Sequence, residues 1–169
     1  FKGVPVVLGG IEASMRRIPH YDYWSDTVRN SLLLDAKADI LVYGMGEKQI
    51  RAIARRLDAG EPPVALNDIP GTVCASKAAD AQPQVMLAPL DECRAPDGFH
   101  TMSRVFDADY RVKTVYQPFA GRFLKHNPPA EPLTQDELDR VYGLPYARTP
   151  HPRYAGSEIP AFTQIQTSV

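Results

Sequence analysis

Two short apolar runs, each stopped by glycines and each followed by a helix-like stretch, constrain the fold more than any other feature of this chain. The first is Val4-Pro5-Val6-Val7-Leu8, ended by Gly9-Gly10; the second is Asp39-Ile40-Leu41-Val42-Tyr43, ended by Gly44-Met45-Gly46. Near-continuous apolarity in the first run suits a strand buried on both faces of a sheet, and the second run is a further strand candidate. Between the runs, Val28, Leu32, Leu33 and Ala36 fall at helical spacing, which predicts a helix over 26–36. After the second run, Ile50, Ile53, Ala54 and Leu57 form an apolar stripe over 47–59, with Glu47 and Arg51 paired at i,i+4 on the solvent side. Gly60 is placed to stop that helix. Strand, helix, strand, helix at this spacing reads as βαβ units of an α/β fold with a parallel, Rossmann-like sheet.

The middle is less regular. Ile69-Pro70-Gly71 predicts a turn and Thr72-Val73-Cys74 a short strand, and Ala75 to Gln84 reads as a surface loop or hairpin tip. Phe99, Met102, Phe106 and Tyr110 recur at helical spacing, predicting a helix over 97–109 with Asp97 as its cap. Proline then dominates: the 169 residues hold 16 prolines against 11 glycines, about twice the usual proline share. Leu133-Thr134-Gln135-Asp136-Glu137-Leu138 carries a capping box and a hydrophobic staple, with Gly143 and Pro145 as its stop. Pro145 to Pro160 shows no periodicity and suits a connector, and Ile165 to Val169 resembles the start of a strand. The expected organisation is therefore an α/β part over 1–117 and a Pro-rich, mostly extended connector over 118–169. The proline excess and the missing initiating methionine lead us to expect a piece of a larger protein.

Several function classes are disfavoured. A net charge of −1 argues against a dedicated nucleic-acid binder. Two cysteines, Cys74 and Cys93, cannot make a disulfide scaffold or a four-cysteine metal site. His20, His100, His126 and His151 are scattered, with no HExxH or CxxC spacing, no GxSxG elbow and no Walker lysine loop. No apolar run reaches the roughly 20 residues of a membrane span, and none reads as a signal peptide, so a cytoplasmic location is expected.

Three places remain that could carry chemistry. Gly9-Gly10, followed by Glu12, allows either a tight turn or close approach of backbone to a ligand. The third glycine and the downstream acid of a dinucleotide fingerprint are missing. Gly44 and Gly46 form a second such corner, and the helix start there could hold an anion, although Glu47 already supplies negative charge. The densest polar and aromatic stretch runs from Arg16 and Arg17 through His20, Tyr21 and Asp22 to Trp24. Its His20 and Asp22 could form an acid–base pair and Trp24 a stacking wall, or the stretch could only fix a loop.

The runs Pro5–Ser14, His20–Asp26, Leu32–Glu47, Asn127–Ala130, Pro132–Thr134, Glu137–Tyr142, Leu144–Tyr146 and Ile159–Phe162, in this order, resemble the N-terminal region of the YgiQ family of radical S-adenosylmethionine proteins. The resemblance covers nearly the whole chain. It implies a cobalamin-binding-like α/β domain ahead of a barrel that holds a [4Fe-4S] cluster on CxxxCxxC and binds S-adenosylmethionine. This chain would contain the latter half of that domain and stop on the first barrel strand, before the cluster cysteines. Neither Cys74 nor Cys93 matches the cluster motif, so no metal ligand and no catalytic residue is carried over. The aspartate-histidine-glycine signature for the lower axial ligand of cobalamin is absent from the residues given, which argues against cobalamin as a ligand. The expectation is an accessory region, not catalytic by itself, in a parent enzyme of unknown substrate. Its principal partner would be its own C-terminal barrel. Gly9, Gly10, Glu12 and the Arg16–Trp24 stretch, with Gly44, Gly46 and Glu47, would then line a pocket or interdomain surface. An unpaired edge beside Val4–Leu8 would also permit a homo-oligomer. The rival readings are a non-enzymatic module docking a partner through its Pro-rich arm, and a cobalamin or nucleotide carrier.

Overall fold

In the computed structural model, which describes residues 3–81, 84–147 and 149–164, the two apolar runs lie side by side and parallel. The chain enters through β1 (Val7–Leu8), α1 (Gly10–Met15), β2 (His20–Asp22), β3 (Thr27–Arg29) and α2 (Leu32–Asp35). It continues through β4 (Ile40–Val42), α3 (Glu47–Asp58), β5 (Thr72–Ser76), β6 (Val85–Met86), α4 (Leu90–Cys93) and α5 (Pro96–Asp109). Strands β7 (Val115–Phe119) and β8 (Arg122–His126) follow, then α6 (Gln135–Tyr142) and α7 (Pro160–Gln164).

The α/β class is as expected. Six strands form one sheet in the order β1-β4-β5-β8-β7-β6, and β2 with β3 makes a separate hairpin. The sheet is mixed where a parallel one was expected. β1 pairs with β4 and β6 with β7 in parallel, while β4–β5, β5–β8 and β7–β8 are antiparallel. The burial on both faces expected of Val4–Leu8 is not found: β1 is the sheet's edge strand, Val7 and Leu8 are half-buried, and Val4 and Val6 are exposed, whereas the central β4 run is buried throughout. Leu41 and Tyr43 pack with Ala13, Leu33, Val73 and Leu124, and Ile40 and Val42 pack with Ile53, Leu66 and Ile69. A third cluster joins α5 to the far strands through Met102, Phe106, Val85, Leu87, Cys93 and Val115.

Four local expectations are corrected. The helix over 26–36 begins only at Leu32, because Thr27–Arg29 pair with His20–Asp22 as a hairpin and Ser31 caps the short helix that follows. On α3 the buried face is rotated: Gln49 and Ile53 are buried, while Ile50 is 48% exposed and Ala54 is exposed. Asp97 does not cap α5; Ala95 holds the cap position with Pro96 in the first turn, where its missing N–H costs nothing. Ala75 and Ser76 extend β5 and do not belong to the loop.

Strands β6, β7 and β8 had no counterpart in the sequence reading. β7 and β8 are joined through Ala120 and Gly121, both at positive φ, which gives a tight hairpin. Pro118 is tolerated inside β7 because β6 pairs only with Val115 and Tyr116, leaving the proline's outer side without a ladder partner. The chain divides into two compact units, Phe1–Glu131 and Pro132–Val169. β8 lies in the first, beyond residue 117 where the connector was expected to begin. In the second, α6 carries the expected capping box between Thr134 and Glu137 and buries no residue. The strand expected at 165–169 falls outside the described residues.

Candidate functional site

The carboxyl ends of parallel β1 and β4 open into a cleft of about 440 Å³ lined by Val7 to Gly10, Val42, Gly44 to Glu47, and Ile50. Open α/β sheets leave room for ligands at such strand ends. Gly10 and Gly44 sit at φ +89° and +74°, so each turn needs a residue without a Cβ. Ser14 holds the two corners together. Its hydroxyl donates to the Gly10 carbonyl at 2.9 Å and accepts from the Gly44 amide at 3.1 Å. Sequence reasoning did not single out Ser14, although it stands one turn after Gly10 on α1. Glu47 opens α3 on the cleft's rim, and its Oε2 is withdrawn from solvent with no hydrogen-bond partner among the described residues.

The Arg16–Trp24 stretch disperses, and the structure does not gather it into one pocket. Glu12 pairs with Arg16 at 2.9 Å, and Arg16 reaches toward Asp22 at 3.9 Å. Arg17 turns inward beneath the rings of Tyr43, Phe106 and Tyr110, at 4.7, 5.0 and 5.2 Å. Burial lowers its pKa, against the favourable field of the neighbouring tyrosines. His20 and Asp22 have separate partners. His20 Nδ1 lies 3.3 Å from the Ile18 carbonyl, and burial moves its pKa down. Asp22 accepts from the Ser25 hydroxyl at 2.5 Å and from its amide at 3.2 Å, which holds the carboxyl below its usual range. Trp24 is 88% exposed at the hairpin tip, edge-on to Tyr23.

Tyr21 belongs to a second, larger cleft of about 730 Å³ between the hairpin and α4–α5. Asp26, Val28, Arg94, Phe99 and His100 also line it. Tyr21 donates to Asp26 at 2.6 Å, and this bond raises the phenol's pKa. Arg94 and His100 were missed because nothing local ties residues 94–100 to residues 21–28. That proximity exists only after the hairpin folds against α4 and α5.

Among the described residues no three His, Cys, Asp or Glu side chains come together as a metal site. Cys74 and Cys93 are both buried free thiols. Burial pushes the Cys74 thiol up to about 11 and raises Cys93 as well, so neither is a thiolate near neutral pH. These two donors do not fit an iron–sulfur cluster. No described helix is long and apolar enough to cross a membrane.

The family model described as Radical SAM N-terminal matches residues 1–168. A UPF0313 protein of Geobacter sulfurreducens is 48% identical over 176 residues, covering 100% of this chain and 29% of that protein. A UPF0313 protein of Rhodopseudomonas palustris is 42% identical over 194 residues, with 100% and 29% covered. A UPF0313 protein of Bacteroides thetaiotaomicron is 38% identical over 188 residues, with 100% and 30% covered. The chain thus spans less than a third of the length of these curated relatives. No solved structure matches it.

Proposed function

We propose, from the premise that this chain belongs to the Radical SAM N-terminal family, that it is the accessory N-terminal region of a radical S-adenosylmethionine enzyme. The match over residues 1–168 carries this reading. The chemistry belongs to a partner barrel in the same polypeptide, where a [4Fe-4S] cluster and S-adenosylmethionine supply one-electron cleavage. This region contributes the α/β unit to Glu131 and, after it, a proline-rich connector into that barrel. The hairpin tip with Tyr23 and Trp24, and the cleft rim at Gly9, Gly10, Gly44, Gly46 and Glu47, are the surfaces proposed to face the barrel and shield its intermediate from water. The parent is read as a cytoplasmic protein; the near-neutral net charge of this region supports the lack of a nucleic-acid role, and the outer edge of β1 offers a surface for self-association.

The test is anaerobic reconstitution of the full-length protein with iron and sulfide, followed by iron analysis, visible absorbance and assay for 5′-deoxyadenosine. The expected result is cluster absorbance and cleavage in the full-length protein and no bound iron in residues 1–169 alone. A full-length protein that takes up no iron refutes the proposal and favours a non-enzymatic module.

A further inference from the structure

The apolar side chains that this region leaves in solvent are concentrated in one stretch. Among the described residues, four of the five most exposed large apolar side chains, Ile11, Met15, Tyr23 and Trp24, lie within 11–24. Ile11 and Met15 stand one turn apart on α1 and so share its outer face. Tyr23 and Trp24 form the tip of the β2–β3 hairpin. Arg16 braces the two elements. It pairs with Glu12 on α1 at 2.9 Å and reaches Asp22 on β2 at 3.9 Å, while its carbonyl accepts from the Leu32 amide at 2.8 Å. Exposed apolar groups gathered on braced elements mark a contact surface. The acidic Glu12 and Asp22 beside them disfavour an anionic lipid surface, which calls for clustered basic residues.

Topology points to the occupant. β8 lies two antiparallel steps from β4 and therefore runs in the same direction, so the chain leaves β8 at the sheet end where β4 delivers Tyr43. There the Tyr43 hydroxyl donates to the Asn127 carbonyl, and the Gly71 amide donates to the Pro128 carbonyl at 2.7 Å. α1 starts at that same end, after β1, and is tied to it where the Ser14 hydroxyl accepts from the Gly44 amide. The outgoing chain and the exposed face of α1 thus share one end of the sheet. The chain matches an N-terminal family model and spans less than a third of its relatives, so most of their length lies beyond the matched part. We propose that the outer face of α1, with Ile11 and Met15, together with the hairpin tip, seats against the following part of the same polypeptide through an apolar contact. This rests on the reading of the region as the N-terminal part of a longer enzyme; it adds α1 as the seat and apolar burial as its cause. Burial of apolar surface needs no cluster, so the contact forms in the iron-free protein.

The experiment uses the full-length, iron-free parent with the photoreactive p-benzoylphenylalanine in place of Ile11, a position so exposed that the core of the first unit is untouched. Irradiation and digestion are expected to give a cross-link within one molecule, to a peptide beyond residue 169. Cross-links confined to residues 1–169, a product of doubled mass, or no cross-link overturn the proposal.

A second measurement follows sulfoxide formation at Met15 of the same full-length protein in dilute hydrogen peroxide. Met15 is 71% exposed and Met86 42%, so an uncovered Met15 would oxidise at least as fast as Met86. Met15 is expected to oxidise at least about tenfold more slowly, as for a seat occupied about nine-tenths of the time. Ile11→Glu, which sets a charge into the apolar contact, is expected to abolish that protection. Equal rates at the two methionines, or protection unchanged by Ile11→Glu, overturn the proposal. A covered Met15 in a protein that never takes up iron upholds the contact and refutes the enzyme reading; an iron-loaded protein with a reactive Met15 does the reverse.

Discussion

The Arg17 guanidinium carbon stands 4.7 Å from the centre of the Tyr43 ring, and the Tyr43 hydroxyl donates to the buried Asn127 carbonyl at 2.5 Å. A cation from the α1–β2 loop is thereby fixed to the end of β4, and through Tyr43 to the end of β8. Phe106 and Tyr110 of the α5 region complete the enclosure. Desolvated cation–ring contacts of this kind are worth about 2 kcal/mol or more. Arg17→Ala should therefore lower stability by about 2–4 kcal/mol, read from urea unfolding at constant m-value. Tyr43→Phe, which leaves the Asn127 carbonyl without its donor, should cost about 1–2 kcal/mol. An Arg17→Ala midpoint equal to wild type would show that the enclosure carries no stability.

His126 supplies a pH dependence. It is buried, both ring nitrogens lack partners among the described residues, and burial brings its pKa down from 6.5 to about 3, with the Arg17 charge adding to the effect. Between these values the unfolded chain takes up a proton that the folded protein refuses. The stability contributed by neutral His126 is present above pH 6.5 and declines as pH falls toward 3. The limiting slope is about 1.4 kcal/mol per pH unit. Unfolding curves at pH 7, 6, 5 and 4 should show this decline, and His126→Leu should flatten it. A wild-type stability that rises on acidification would contradict the assignment.

Gly98 reverses an ordinary helix rule. In α5 an Ala would normally gain about 1 kcal/mol over Gly. Here a Cβ would overlap the Glu92 carbonyl oxygen and lie 2.9 Å from its carbon, so α4 and α5 would have to separate. Gly98→Ala should cost about 1–3 kcal/mol and lower the Tm. An increase in Tm would mean that α4 yields without loss.

Thr134 tests the second unit locally. Its hydroxyl accepts from the Glu137 amide at 3.3 Å, while the Glu137 carboxylate accepts from the Thr134 amide at 2.8 Å. Thr134→Ala removes half of this exchange, at a cost of about 1 kcal/mol to α6. Because α6 buries no residue, the loss should appear as faster amide exchange over Gln135–Tyr142, about fivefold, with the first unit unaffected. Unchanged exchange would show that packing, and not the cap, holds α6.

Features set by adjacent residues were legible in the sequence. The strand within 39–43, the stop of α3 at Gly60 and the Thr134–Glu137 box follow from side-chain polarity and local backbone preference, and the structure has all three. The burial expected of Val4–Leu8 failed because nothing local marks it as the sheet's edge. The glycine corners at Gly9–Gly10 and Gly44–Gly46 were legible as corners. That they face one cleft was not, because residues 10 and 44 meet only through the parallel pairing of β1 with β4 and the hydroxyl of Ser14. For the Arg16–Trp24 stretch the sequence left open a shared surface or a network that fixes a loop, because density in sequence does not say where each side chain goes. Arg17 packs half-buried against the rings of Tyr43, Phe106 and Tyr110, whereas Trp24 lies out at the hairpin tip.

By itself the sequence determined that this protein has an α/β unit followed by a proline-rich arm, and that its two cysteines provide too few ligands for a cluster. Periodicity, glycine and proline act over a few residues and need no tertiary partner to be read. Only the tertiary structure decided that the sheet is mixed, that Arg17 is enclosed by rings, and which of the polar residues line a common cleft. Those outcomes depend on contacts between distant segments, where burial of the whole sheet outweighs any local preference.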